Sequence, residues 1–260
     1  MQVLAVVGPS DSGKTTLVER LTARLTECGR VGTVKHISCE PDIDIAGKDT
    51  ARHRSAGAAE TYGLTSDEWF ATGDTLTLGD VLDTLAGRCE YALVEGYSDL
   101  LLPKIVLGGR TAEHAVVERA QSVEDVDVDA LVETIETLES YETPESLVDR
   151  MRRVHETDKS DAVVTITGRL FGGGVDGGTC AGERVNETID TLCNHLDTRP
   201  GVSEVLVHQQ YAVEKETTKR VTVVVLVTHH AEALSVIEES LAQFESTPER
   251  TQMEWTVKTI

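Results

Sequence analysis

Basic residues are scarce in this chain: 24 Lys and Arg stand against 45 Asp and Glu, a formal net charge of −21 over 260 residues. The deficit is spread along the molecule, with 12 basic against 25 acidic residues up to residue 140 (−13) and 12 against 20 beyond it (−8). A surface of that sign repels phosphate backbones and anionic headgroups, which argues against nucleic-acid and membrane-surface binding. Aromatic residues are also few, at 4%. Together with the acidic excess this fits a high-salt, halophilic cytoplasm, where screening relieves the self-repulsion of a large net charge. The five cysteines, Cys28, Cys39, Cys89, Cys180 and Cys193, are scattered and form no C-x-x-C pair, so a reducing compartment is expected and a thiolate zinc site is not. There is no run of about 18 apolar residues, and Met1–Val7 is too short for a signal peptide before the chain enters a glycine-rich loop. A cytoplasmic protein is the expectation.

What is present is a phosphate loop. Gly8-Pro9-Ser10-Asp11-Ser12-Gly13-Lys14-Thr15-Thr16 fits G-x-x-x-x-G-K-[ST] directly after the apolar run Val3–Val7. A triphosphate must be wrapped by backbone N–H groups, and glycines permit the close approach and the positive φ this needs. Lys14 is expected on the β- and γ-phosphates and the Thr15 hydroxyl on Mg²⁺. The following helix, Thr15 to about Cys28 with Leu17, Leu21 and Leu25 on one face, points its positive end at the phosphates.

Up to about residue 140 strands and helices alternate: strand Val3–Val7, helix Thr15–Cys28, strand Val31–Lys35, a helix opening near Asp49, strands Tyr91–Val94 and Lys104–Leu107, helix Asp129–Leu138. This reads as α/β with a mostly parallel sheet, the two later strands buried on both faces. A charged stretch containing Pro144 follows, and the boundary is placed at 140–145. Residues 145–260 read as a smaller α+β unit. It comprises a short helix Leu147–Val154, strand Ala162–Thr167, a glycine-rich turn Gly172–Gly178, helix Arg184–Leu196, strands Glu204–Tyr211 and Arg220–Thr228 as a hairpin, helix Ala231–Phe244 and a last strand Met253–Val257. The glycine-rich turn lacks a following Lys and Ser/Thr, so it is a loop and no second phosphate loop.

Glu95 ends a buried strand where such sheets border their ligand, and is the choice for the carboxylate that meets Mg²⁺ or the attacking water. Lys35 and His36, then Asp42, Asp44, Lys48, Asp49, Arg52 and His53, form a dense titratable set after the second strand. Asp49 is expected to cap a helix that carries Arg52 and His53 in its first turn. A single histidine is more often a surface residue than a catalyst, whereas the cluster as a whole suggests a site.

The phosphate loop, Thr33-Val34-Lys35-His36, the segment Gly47–Ala58, Leu93-Val94-Glu95-Gly96-Tyr97 and Pro103-Lys104 resemble the molybdopterin-guanine dinucleotide biosynthesis adaptor (MobB) family. The resemblance covers about residues 1–140. It implies a dimeric P-loop protein that binds GTP with Mg²⁺, has weak GTPase activity and assists the guanylyltransferase that attaches GMP to molybdopterin. Nucleotide binding then falls to Gly8, Ser10, Asp11, Ser12, Gly13, Lys14, Thr15, Thr16, Lys35, His36, Lys48, Asp49 and Arg52. Ser38-Cys39 stand where many members carry a histidine pair. Guanine preference comes only from this resemblance, because the chain has no N-K-x-D sequence.

Residues 145–260 are similar to the large subunit of molybdopterin synthase, through Val164–Arg169, Val205–His208 and Val223–Val225 leading into Thr228–Leu234. That family moves sulfur from the C-terminal thiocarboxylate of a small carrier subunit onto cyclic pyranopterin monophosphate. The chain departs where basic groups are expected: Phe171 replaces an arginine, His229-His230 a His-Arg pair, and Pro248–Gln252 a lysine-bearing segment. An anionic substrate needs such groups, so a GTP-binding accessory protein with an inactive synthase-like second unit is expected. The alternative is a bifunctional protein that still transfers sulfur, with His229, His230, Arg169 and Arg250 replacing the missing groups. A metabolite kinase would need an acceptor lid and a base near the γ-phosphate, and neither is visible.

Overall fold

The computed structural model describes residues 1–37, 48–112, 115–155, 162–171, 190–211, 218–228, 230–245 and 253–259. The first 140 residues build a five-stranded sheet in the order β2-β5-β1-β6-β7. Its strands are β1 (Gln2–Val7), β2 (Val31–Lys35), β5 (Tyr91–Glu95), β6 (Lys104–Leu107) and β7 (Val116–Ala120). Every pairing in it is parallel. Helix α1 (Lys14–Leu25) and helix α4 (Val128–Glu136) cover one face, where Leu17, Leu21, Leu25, Leu131 and Ile135 pack on Leu4, Val6, Leu93 and Ile105. Helix α3 (Leu78–Ala86) covers the other through Leu78 and Leu82 against Val3, Ala5 and Val94. Burial on both faces explains why β5 and β6 are continuous apolar runs. The helix boundaries differ slightly from expectation. Residues 26–28 form a turn beyond α1, and α4 closes at Glu136.

Between β2 and α3 lie the helix expected near Asp49 and a hairpin that the sequence pattern does not announce. Helix α2 (Asp49–Ser55) buries none of its residues and packs against a hairpin of β3 (Glu60–Leu64) and β4 (Trp69–Gly73). Leu64 faces Trp69 across the hairpin, and with Tyr62 they lie on one face by strand alternation. All three are exposed, at 77%, 62% and 59%.

The second sheet is antiparallel, in the order β11-β8-β10-β9: β8 (Ala162–Phe171), β9 (Val202–Tyr211), β10 (Thr218–Val227) and β11 (Met253–Thr259). Helix α5 (Pro144–His155) seals one face with Leu147, Val148 and Met151 against Val163, Val224 and Leu226. Helix α6 (190–197) and helix α7 (His230–Glu245) seal the other with Leu192, Leu196, Ala233 and Val236. Strand β8 runs four residues past its expected end at Thr167 and β11 two past Val257. The expected turn Gly172–Gly178 and the start of helix 184–196 lie outside the described residues. Among the described residues no helix is long and apolar enough to cross a membrane.

Candidate functional site

The site forms at the carboxyl end of the first sheet, where β1 leaves the core and the chain must reverse into α1. Gly8 sits there because there is no room for a side chain: a Cβ would lie 2.6 Å from Ser12 Oγ and 2.9 Å from the Leu107 carbonyl oxygen. Gly13 closes the loop at φ 85°, a left-handed conformation that also makes it the helix N-cap. Asp11 shares the left-handed region at φ 60°, strain of the kind that collects at ligand-binding loops. Ser12 Oγ donates to the Pro9 carbonyl at 2.9 Å and Lys14 Nζ to the same oxygen at 2.5 Å, while the Ser10 and Thr16 side chains are exposed at the mouth. The first turn of α1 contains no acidic residue, so its N–H groups and positive dipole end face the loop without an internal counter-charge.

Three side chains from three elements converge beside that turn. Thr15 Oγ1 donates to Glu95 at 3.1 and 3.0 Å from the two carboxylate oxygens, Lys35 Nζ lies 3.1 Å from Glu95 Oε1, and Lys35 also donates to Thr15 Oγ1 at 3.3 Å. Parallel register makes this meeting possible, since Lys35 on β2 is the cross-strand partner of Glu95 on β5. Glu95 is only 9% exposed, so its charge requires partners, and the ammonium and hydroxyl supply them. A hydroxyl and a carboxylate side by side are hard oxygen donors of the kind Mg²⁺ prefers. Among the described residues no group of three or more His, Cys, Asp or Glu is poised to hold a metal. An ion here would therefore complete its shell with phosphate oxygens and water.

Beyond Glu95 the backbone turns sharply, with Gly96 at φ 102° and Tyr97 at φ 55°. A Cβ on Gly96 would lie 2.8 Å from that of His36. His36 donates its backbone N–H to the Glu95 carbonyl at 2.9 Å and sets its ring against that of Tyr97, centroids 4.6 Å apart and planes tilted by 43°. Lys104, 2% exposed at the start of β6, fastens the next stretch by donating to the Ser98 carbonyl at 3.0 Å and to that of Leu100. Sequence reasoning quoted Lys104 within a motif but gave it no role. The available signal was a lysine opening an otherwise apolar central strand.

The structure brings together Gly8, Asp11, Ser12, Gly13, Lys14, Thr15, Lys35, His36 and Glu95. Lys48, Asp49 and Arg52 stand at the start of α2, which packs on the hairpin. Asp49 is not a cap: Lys48 holds that position with extended backbone, Asp49 is the first helical residue, and it pairs at 3.6 Å with Arg52, which is 74% exposed. Physically, α2 has no apolar face to dock on the sheet and rides instead on the hairpin. Asp42 and Asp44, Ser38-Cys39, His229 and Arg250 lie outside the described residues, and His230 opens α7 with its side chain undescribed.

The family model for molybdopterin guanine dinucleotide synthesis protein B (MobB) matches residues 3–133, the span that builds the parallel sheet and this site. The chain belongs to the MobB family. A Haloferax volcanii protein described as a probable molybdopterin synthase is 32% identical over 250 residues, covering 93% of this chain and 90% of that one. The Escherichia coli molybdopterin-guanine dinucleotide biosynthesis adapter protein is 34% identical over 128 residues, 45% of this chain and 73% of its own length. The crystal structure of a MobB homologue from Bacillus stearothermophilus is 27% identical, covers 53% of this chain and all of that one, and superposes with a TM-score of 0.39. The MobB match thus ends before Tyr141, whereas the similarity to the Haloferax volcanii protein extends over the second sheet.

Proposed function

We propose that the chain is a GTP-binding accessory protein of molybdenum cofactor biosynthesis that assists a guanylyltransferase in forming molybdopterin guanine dinucleotide. The observation that carries this reading is the Thr15–Glu95–Lys35 cluster beside a glycine-formed phosphate loop, within a chain of the MobB family. Lys14 and the N–H groups of the α1 first turn bind the phosphates. Thr15 and Glu95 hold Mg²⁺, which when bound screens the phosphate charge. Lys35 keeps the Glu95 carboxylate aimed at that position. The exposed Tyr62, Leu64 and Trp69 on the hairpin support association with a second copy, because an apolar strand face of this kind is stabilised when covered.

The division into a nucleotide unit, 1–140, and a second unit, 145–260, follows the two separate sheets and the docking of α5 on the second. That unit is read as synthase-like in ancestry and inactive in sulfur transfer, given Phe171 and Pro248–Gln252 in place of basic residues. A bifunctional reading draws support from the full-length relative described as a probable molybdopterin synthase. Calorimetric titration of the whole chain with GTP, ATP and cyclic pyranopterin monophosphate, in high salt with Mg²⁺, separates the two. GTP binding alone supports the accessory reading, pterin binding as well supports the bifunctional one, and no nucleotide binding overturns both.

A further inference from the structure

The sheet order gives a bound nucleotide a direction. The cluster of Thr15, Glu95 and Lys35 lies on the β5 and β2 side of β1, which places the γ-phosphate end there. The nucleoside must then leave the phosphate loop on the opposite side, over the ends of β6 and β7. Both strand exits touch the loop. A Cβ on Gly108, after β6, would lie 3.1 Å from Pro9 Cγ and 3.3 Å from Ser12 Cβ, and one on Gly13 would lie 2.9 Å from Val123 beyond β7. Between these exits is a cavity of about 500 Å³ whose lining includes Val106, Gly109, Arg110, Arg119, Ala120 and Gln121. Its size is that of a small-molecule site.

We propose that this cavity holds the base of the bound nucleotide and that Arg110 makes it prefer a 6-oxopurine; the inference rests on the nucleotide reading above. Val106 and Ala120 give the lining an apolar part, as a flat base requires. Gly109, at φ 69°, adds no side chain to it. Among the described residues the charged groups in the lining are both guanidinium ions, in a chain of net charge −21. Arg119 donates to the carbonyls of Arg110 and Ala112 at 3.2 and 2.5 Å, which fixes the wall of the cavity. Arg110 donates through Nη2 to Ser98 Oγ at 2.8 Å, and a guanidinium has further N–H groups to offer. Among the described residues neither arginine is ion-paired to a carboxylate. Guanine presents two adjacent acceptors, O6 and N7, to a guanidinium fork, whereas adenine presents an N6 donor at the first of these positions. Gln121 offers both a donor and an acceptor to the remaining base edge.

The test compares GTP, ATP and inorganic tripolyphosphate by calorimetry on the full chain with Mg²⁺, for the wild type, Arg110→Ala and the cavity-filling Thr111→Trp. The wild type is expected to bind GTP more tightly than ATP and ATP more tightly than tripolyphosphate. Arg110→Ala should weaken GTP about tenfold, the scale of a lost bidentate base contact, with tripolyphosphate unchanged. Thr111→Trp should reduce GTP to the level of tripolyphosphate. Unchanged GTP affinity in Arg110→Ala, or a parallel fall for tripolyphosphate, overturns the proposal. A wild type that binds tripolyphosphate as tightly as GTP overturns the base site alone and leaves the phosphate loop standing, whereas a wild type that binds neither ligand overturns the nucleotide reading and this inference together.

Discussion

Asp83 and Arg220, 137 positions apart, meet where the two sheets are joined: Arg220 Nη1 lies 3.0 and 2.9 Å from the Asp83 carboxylate oxygens. Tyr141 completes the joint by donating its hydroxyl to Asp83 Oδ1 at 2.7 Å, with the Arg220 guanidinium 5.5 Å from the centre of its ring. Arg220 Nη2 also donates to the Glu142 carbonyl at 2.9 Å. One guanidinium therefore ties α3, the connecting segment and β10 together, using the planar fork that distinguishes arginine from lysine.

Arg220→Ala is expected to lower the stability of the whole chain by about 2 kcal/mol, the scale of hydrogen bonds to a charged group that is partly withdrawn from water. It should also split a single unfolding transition into two, as each sheet melts on its own. Urea denaturation followed by far-ultraviolet circular dichroism checks this. Arg220→Lys should recover only part of the loss, and an unchanged midpoint in Arg220→Ala would show the joint to be passive.

Lys14→Ala should weaken GTP binding by at least about tenfold, because a charge-assisted contact to phosphate is lost. The fold should survive, since among the described residues the Lys14 side chain donates only to its own loop, and it fills no core position. Calorimetry paired with a thermal melt gives both readings. Retained affinity would sink the assignment of the phosphate site.

Glu95→Gln addresses the metal. The substitution keeps the shape and removes the charge, so the strengthening of GTP binding by Mg²⁺ should fall roughly tenfold while binding measured in EDTA stays close to wild type. A variant whose affinity drops equally with and without Mg²⁺ would assign Glu95 a purely structural role beside Lys35.

Alkaline pH should destabilise the protein. The Tyr91 hydroxyl is pushed up to about 12 by its hydrogen bond to Glu136 and by burial, and burial pushes the Cys193 thiol up to about 11 with Asp197 and Asp190 adding to it. Burial raises the Tyr141 hydroxyl further still, Asp83 contributing and Arg220 opposing. All three hold their protons more tightly when folded, so their stabilisation is complete below the ordinary thiol and phenol values. It is lost as pH rises through about 9 to 12. Thermal melts between pH 8 and 11 should show a falling midpoint. At pH 8, exposed Cys28 should react with a thiol reagent well before Cys193.

The phosphate loop was legible because its chemistry is local: nine consecutive residues dictate the turn, and Val3–Val7 and Leu17–Leu21–Leu25 dictate what flanks it. The buried strands β5 and β6 were legible for the same reason. Helix α3 was announced by Thr77 and Asp80, whose reciprocal capping box is present, and that signal went unused. The hairpin was hidden because Gly63 interrupts β3 and is sheltered by Phe70, a pairing that exists only once the strands meet. Edge strand β7 carries Glu118 and Arg119 and so lacks an apolar run. Lys48, Asp49 and Arg52 begin a helix without an apolar stripe, so local pattern gives no indication of what it packs on. Asp83 with Arg220, and Arg110 with Gln121, are products of topology, which no local pattern announces.

Lys104 has one more consequence. Surface pairs such as Arg24 with Asp129, the latter 75% exposed, are dissolved by concentrated electrolyte, since their attraction acts through water. The Lys104 ammonium that grips the carbonyls of Ser98 and Leu100 is withdrawn from that medium. The contacts that hold the segment after Glu95 are therefore screened less by salt than the outer ion pairs are.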